Sequence, residues 1–130
     1  MRNISFSLTT PQIRARTKTV TRRVGRFWTR LRIGEVLCAC EKTQGIKKGG
    51  IVRLCEIRVV DVGVEDLRVL HNFPSYGAKE VVAEGFPRLT PMEFIVMFVQ
   101  HMPKVTKDWQ VTRIEFEYVE APSGAGGEGT

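Results

Sequence analysis

The chain has 130 residues, 42% hydrophobic and 26% charged, the make-up of one ordinary folded domain. That composition excludes wholesale disorder, a collagen-like repeat and a disulfide scaffold, and no apolar run approaches the roughly 18–20 residues of a membrane span. The net charge of +6 is unevenly placed: residues 1–34 hold nine bases and no acid, a local +9, while residues 35–130 hold 11 bases and 14 acids, a local −3. Eight of those nine bases are Arg, which suits planar, bidentate partners such as phosphate and carboxylate. A basic segment without local acids points towards a polyanion. A solvated face, or neutralisation of the acidic remainder, accounts for the same charges. No cationic amphipathic helix marks a membrane surface, and the first ten residues lack the apolar core of a secretory leader.

In chain order, Ile4, Phe6 and Leu8 alternate with Ser5 and Ser7, predicting a half-buried first strand. Thr10-Pro11 reads as an N-cap followed by Pro at the first helical position, opening a short helix from Pro11 to Ala15. Arg16 to Arg23 mixes β-branched and polar residues and is expected to be a loop or short extended segment. Val36–Cys40 and Ile51–Asp61 predict two strands of a long antiparallel hairpin, turned at Gly45 and Lys47-Lys48-Gly49-Gly50. Val64–Leu70 predicts one or two helical turns, and residues 71–83, punctuated by Asn72, Pro74, Ser75 and Gly77, a loop.

Thr90-Pro91-Met92-Glu93 is a capping box. Phe94, Ile95, Phe98, Val99 and Met102 then recur at helical spacing as a core stripe, and Pro103 stops the helix. Trp109–Val119 reads as a closing strand, its Val111, Ile114, Phe116 and Tyr118 showing a phase slip near Thr112-Arg113. The last ten residues, 121–130, are expected to be a flexible tail. Few helices among several antiparallel strands predict an α+β fold, a single domain over 1–120 built as a small β-barrel or strongly bent sheet capped by helices.

Three cysteines cannot complete a disulfide set. Cys38, Cys40 and Cys55 read as reduced core thiols, which implies a cytoplasmic setting. His71 and His101 show no ligand spacing with them, so no metal and no cofactor is expected. Gly49-Gly50 lacks the rest of a phosphate-binding loop. Two features concentrate chemistry: the polar run Lys18, Thr19, Thr21, Arg22, Arg23, and Glu84-Gly85-Phe86, where a glycine beside an acid permits close backbone approach. An extended backbone points Lys18 away from Thr21, so a bend is needed for them to converge. A solvated basic loop and a pre-helical turn account for the same two segments.

Together these motifs resemble the ASCH family of the PUA-like superfamily. Lys18-Thr19-Val20-Thr21-Arg22-Arg23 resembles its Lys-Thr-hydrophobic-Thr-x-Arg signature, and Gly34-Glu35-Val36-Leu37 its turn before a strand. Glu84-Gly85-Phe86 with the following helix, and Val111 to Phe116, resemble its later helix and closing strand. The resemblance implies a small β-barrel with a cleft beside the signature, and a nucleic-acid or nucleoside ligand. Some members of the family are amidohydrolases that remove the acetyl group of N4-acetylcytidine with a Lys, a Thr and a Glu. Residue by residue these correspond to Lys18, Thr21 and Glu84.

Two readings follow. In the first, the protein binds RNA or a modified nucleoside, with Arg14, Arg16, Arg22, Arg23 and Arg26 as phosphate contacts and Trp28 stacking on a base, although a place in the core accounts for Phe27 and Trp28 at least as well. In the second, Lys18, Thr21 and Glu84 hydrolyse an N4-acylated cytidine: Lys18 as nucleophile, base or oxyanion stabiliser, Thr21 as a hydrogen-bonding group, Glu84 as a proton relay. A nuclease ranks third, since no metal-binding carboxylate cluster or His pair is visible. A membrane partner is not expected, and oligomeric state stays open.

Overall fold

The computed structural model describes residues 1–43, 45, 47 and 49–120. Strands β1 (Arg2–Ser5), β2 (Val20–Arg23), β3 (Val36–Cys40), β4 (Arg53–Asp66) and β5 (Gln110–Tyr118) make one sheet in the order β1-β3-β4-β5-β2. Helices α1 (Thr10–Arg14), α2 (Val69–Asn72), α3 (Pro74–Ala83) and α4 (Pro91–His101) surround it, with 3-10 segments at Arg26–Arg30 and Pro103–Lys107. The β1–β3 pair is parallel, and β3–β4, β4–β5 and β5–β2 are antiparallel. The sheet curls strongly into a half-barrel, the bent α+β class that the pattern of strands and helices predicts.

The long strand helps to explain the curl. β4 pairs with β3 through its first residues and with β5 from Ile57 onwards, and the register shifts between Val59 and Asp61, so Val60 is an inserted residue. Such a bulge bends and twists its strand. The two edge strands are brought together: Arg23 Nη2 on β2 donates to the Ser5 carbonyl on β1 at 2.6 Å. This seam positions the site.

Two cores share the sheet. Ile4, Phe6, Leu37, Ile57, Ile114 and Phe116 pack into one, and Leu67, Leu70, Val81, Phe94, Val105 and Val111 into the other. The phase slip of β5 is thereby explained. Val111 lies an odd number of residues from Ile114, so the two side chains leave opposite faces of the strand. Each face meets a different core, and the strand period is not broken.

Several assignments differ from expectation. Val64–Leu70 does not start a helix: β4 continues to Asp66 because Val62, Gly63 and Val64 pair with Ile114, Arg113 and Thr112. Residues 71–83 are not a loop, since α2 reaches Asn72 and α3 runs Pro74–Ala83. Pro74 sits in the first turn, where its missing N–H costs nothing. Gly77 is required by packing, because a Cβ there would lie 1.8 Å from the Leu70 carbonyl oxygen. The run from Arg16 to Arg23 is, as expected, a loop and a short extended segment, the latter paired as strand β2. Leu8 is exposed beyond β1, and the Thr10 hydroxyl donates to the Phe6 carbonyl at 2.8 Å rather than capping the helix. The capping box on α4 forms as expected, Thr90 Oγ1 accepting from Glu93 N at 3.1 Å. The expected tail 121–130, and Lys48 of the expected turn, lie outside the described residues. Among the described residues no helix is long and apolar enough to cross a membrane.

Candidate functional site

The seam between β1 and β2 opens into a cleft of about 470 Å³. Ser5 to Thr9 and β2 form one side and α4 the other, and Lys18, Thr21 and Glu84 all line it. Each is fixed by its backbone. Arg16 takes a positive φ of 59° after α1, turning the chain into the Lys18 segment. Thr19 N then donates to the Ala83 carbonyl at 2.8 Å, and the Lys18 carbonyl accepts from Tyr118 Oη at 2.6 Å. Glu84 ends α3, and Gly85 turns the chain with φ of 99°. The close approach that Gly85 permits is to α1: a Cβ there would meet Gln12 Cγ at 2.8 Å.

The charged groups form an alternating chain. Lys18 Nζ donates to Glu84 Oε1 at 2.7 Å and to the Glu84 carbonyl at 2.8 Å. Arg22 bridges three carboxylates, Glu84 Oε2 at 2.9 Å, Glu65 Oε2 at 2.9 Å through Nε, and Glu80 Oε1 at 2.5 Å. Arg113 closes the far end on Glu80 at 2.6 Å and 3.0 Å, and Tyr76 donates to Glu65. Three cations thus alternate with three carboxylates. Burial lowers the Lys18 pKa, with Glu84 offsetting part of the effect. Burial would lower Arg22 as well, but its carboxylates outweigh it and the pKa rises. Glu80 is pushed up by burial and down by Arg113 and Arg22, and the arginines win.

Arg23 stands apart from this network. It has no carboxylate within ion-pair distance among the described residues. Its guanidinium lies 5.0 Å from the centroid of the Phe6 ring and 5.5 Å from that of Trp28, and burial lowers its pKa to about 10 against a pull upwards from Glu84. Its Nε donates to Thr21 Oγ1 at 3.3 Å. Thr21 therefore accepts, and its own hydroxyl proton has no acceptor among the described residues. Lys18 likewise commits two of three donors, both to Glu84. Facing these groups are Phe86, Phe94, Met97 and Phe98. A polar floor with unused donors against an aromatic wall suits a planar heterocycle carrying carbonyl acceptors.

The other named residues separate. Arg22 and Arg23 line the cleft with Trp28, but Arg22 is held by three carboxylates and the Tyr76 hydroxyl. Arg14 pairs with Glu41 at 2.8 Å and Arg16 with Glu120 at 3.2 Å, both on the surface and outside the cleft lining. Arg26 lines a second, more open depression. Glu65, Tyr76 and Glu80 carry the network yet belong to no local motif, and Arg113, inside the Val111–Phe116 segment, was not singled out as a site residue; β4, α3 and β5 bring the four together across the fold. His101 lines the cleft with Nδ1 2.9 Å from the Met97 carbonyl, and His71 is exposed. Cys38 and Cys40 are buried free thiols, and burial raises Cys40 to about 11 with help from Cys38. No group of three or more His, Cys, Asp or Glu side chains among the described residues could hold a metal ion.

No family model matches the sequence, and no curated protein matches it. A solved structure described as the crystal structure of hypothetical protein PH0355 is similar, with a TM-score of 0.61 and 15% sequence identity. The match covers 91% of this chain and 96% of that one, and at this identity the likeness is one of fold.

Proposed function

We propose that the cleft binds a modified nucleoside, free or as one nucleotide of an RNA, in the manner of an ASCH domain. The observation that carries this reading is the pairing of a polar floor, Lys18, Thr21, Arg23 and Glu84, with an aromatic and methionine wall from α4 and Phe86. A nucleobase needs donors for its carbonyl and a flat apolar surface for its face. Five of the nine N-terminal bases, Arg2, Arg14, Arg16, Lys18 and Arg22, are paired with carboxylates. This weighs towards a small ligand in the cleft over a broad phosphate-binding face.

The buried Lys18 favours the second reading, an amidohydrolase acting on N4-acetylcytidine. Its lowered pKa makes the neutral amine more accessible than in an ordinary lysine. In this reading neutral Lys18 takes a proton from a water whose oxygen bonds to the acetyl carbonyl carbon, Thr21 and Arg23 hold the developing oxyanion, and Glu84 relays that proton from Lys18 to the N4 amine as the C–N bond breaks. Incubation with N4-acetylcytidine, followed by chromatography, is expected to yield cytidine and acetate. The rate should rise with pH through a midpoint below the ordinary lysine value of 10.5, and Lys18→Met should abolish it. Binding without turnover would leave the first reading alone, and product from Lys18→Met would contradict the assigned site. Failure of the nucleoside to bind would contradict both.

A further inference from the structure

A second depression lies beside the cleft and shares Val24 with it as a common wall. Its cations are Arg26, Lys104 and Lys107, and its one carboxylate is Asp108. Asp108 Oδ1 already accepts from Gln110 N at 2.9 Å. Arg26, Lys104 and Lys107 form no ion pair among the described residues. Their placement follows from helix geometry. Lys104 and Lys107 sit three apart on the 3-10 segment Pro103–Lys107, where side chains at that spacing eclipse and share a face. Arg26 and Thr29 have the same spacing on the segment Arg26–Arg30, and both line the depression. Val105, fully buried, anchors the first segment, and Gly25, with φ of 111°, turns the chain into the second.

We propose that this depression carries the phosphodiester backbone of a single-stranded RNA whose neighbouring base occupies the cleft. The inference rests on the nucleoside reading of the cleft and makes the ligand a nucleotide within a strand. Charge decides the partner class: three cations without ion pairs against one carboxylate leave a net positive depression beside the cleft, adjoining it at Val24, which suits a phosphate backbone. Arg14 and Arg16, already paired on the surface, are not part of this path.

The test uses fluorescence anisotropy with a labelled single-stranded RNA of about eight nucleotides containing N4-acetylcytidine, between about 50 and 200 mM salt, beside free N4-acetylcytidine. The double variant Lys104→Gln/Lys107→Gln should bind the strand at least about tenfold more weakly and flatten the slope of log affinity against log salt by about 1.4. It should bind the free nucleoside as the original protein does. The charge-matched control Arg53→Gln/Lys79→Gln, on the far end of β4 and on α3, should bind the strand unchanged. Equal weakening in the control would show general polyanion attraction and overturn the proposal. So would a strand bound no more tightly than the nucleoside, or strand affinity indifferent to Lys104 and Lys107. A strand held through these lysines by a protein that ignores the nucleoside would instead remove the cleft reading and leave this surface standing.

Discussion

At the scale of single residues, the decisive feature is a lysine and an arginine sharing one buried carboxylate. Glu84 holds Lys18 through Oε1 and Arg22 through Oε2, with almost no solvent at any of the three side chains. Removing one partner of such a group leaves an uncompensated buried charge, which costs about 3–5 kcal/mol. Glu84→Gln is therefore expected to lower stability by about that amount in urea denaturation. Adding Lys18→Met should recover part of the loss, because one orphaned cation is removed. If Glu84→Gln unfolds like the original protein, the pair does not bear on stability and Glu84 is free for another role. Lys18, Thr21 and Glu84 were legible in the sequence only through a family-like signature. Composition alone favours a solvated basic loop, since burial of Lys18 depends on Glu84, 66 positions away.

At the scale of elements, local chemistry was readable where the signal was itself local. The Thr90–Glu93 capping box closes within four residues and formed as the sequence implies. The segment 71–83 shows the opposite case. Its Pro and Gly carry the signature of a loop, yet Pro74 starts a helix and Gly77 makes room for the Leu70 carbonyl of the preceding helix. Only the contact between α2 and α3 reveals which meaning applies. Gly77→Ala tests this: its methyl group would collide with backbone that cannot swing aside, so a loss of about 3 kcal/mol is expected from thermal or urea unfolding. Gly63→Ala, with open space around its Cβ position, should cost far less. Equal effects at the two sites would contradict the packing explanation. β4 makes a similar point, for its extension to Asp66 depends on pairing with β5 rather than on its own residues.

At the scale of the whole molecule, the curled sheet converts sequence-distant charges into two different environments. Acids from β4 and α3 neutralise Arg22 and Arg113 inside the fold. Arg23, one residue along β2, instead spans the seam to β1 and faces the cleft without a carboxylate. The excess charge of residues 1–34 is thus divided between internal pairing and a few open positions, a division that no count of residues could provide. The general fold was foreseeable from strand alternation and the α4 pattern, and the similarity to the PH0355 structure extends over most of both chains. The cleft itself arises only when β1 and β2 meet. The nucleoside role proposed for it is tested most directly by amide chemical-shift mapping during titration with N4-acetylcytidine. The account predicts saturable shifts gathered at Lys18, Thr21, Arg23, Glu84 and α4. Unmoved signals at saturating nucleoside, or shifts gathered away from the seam, would contradict it.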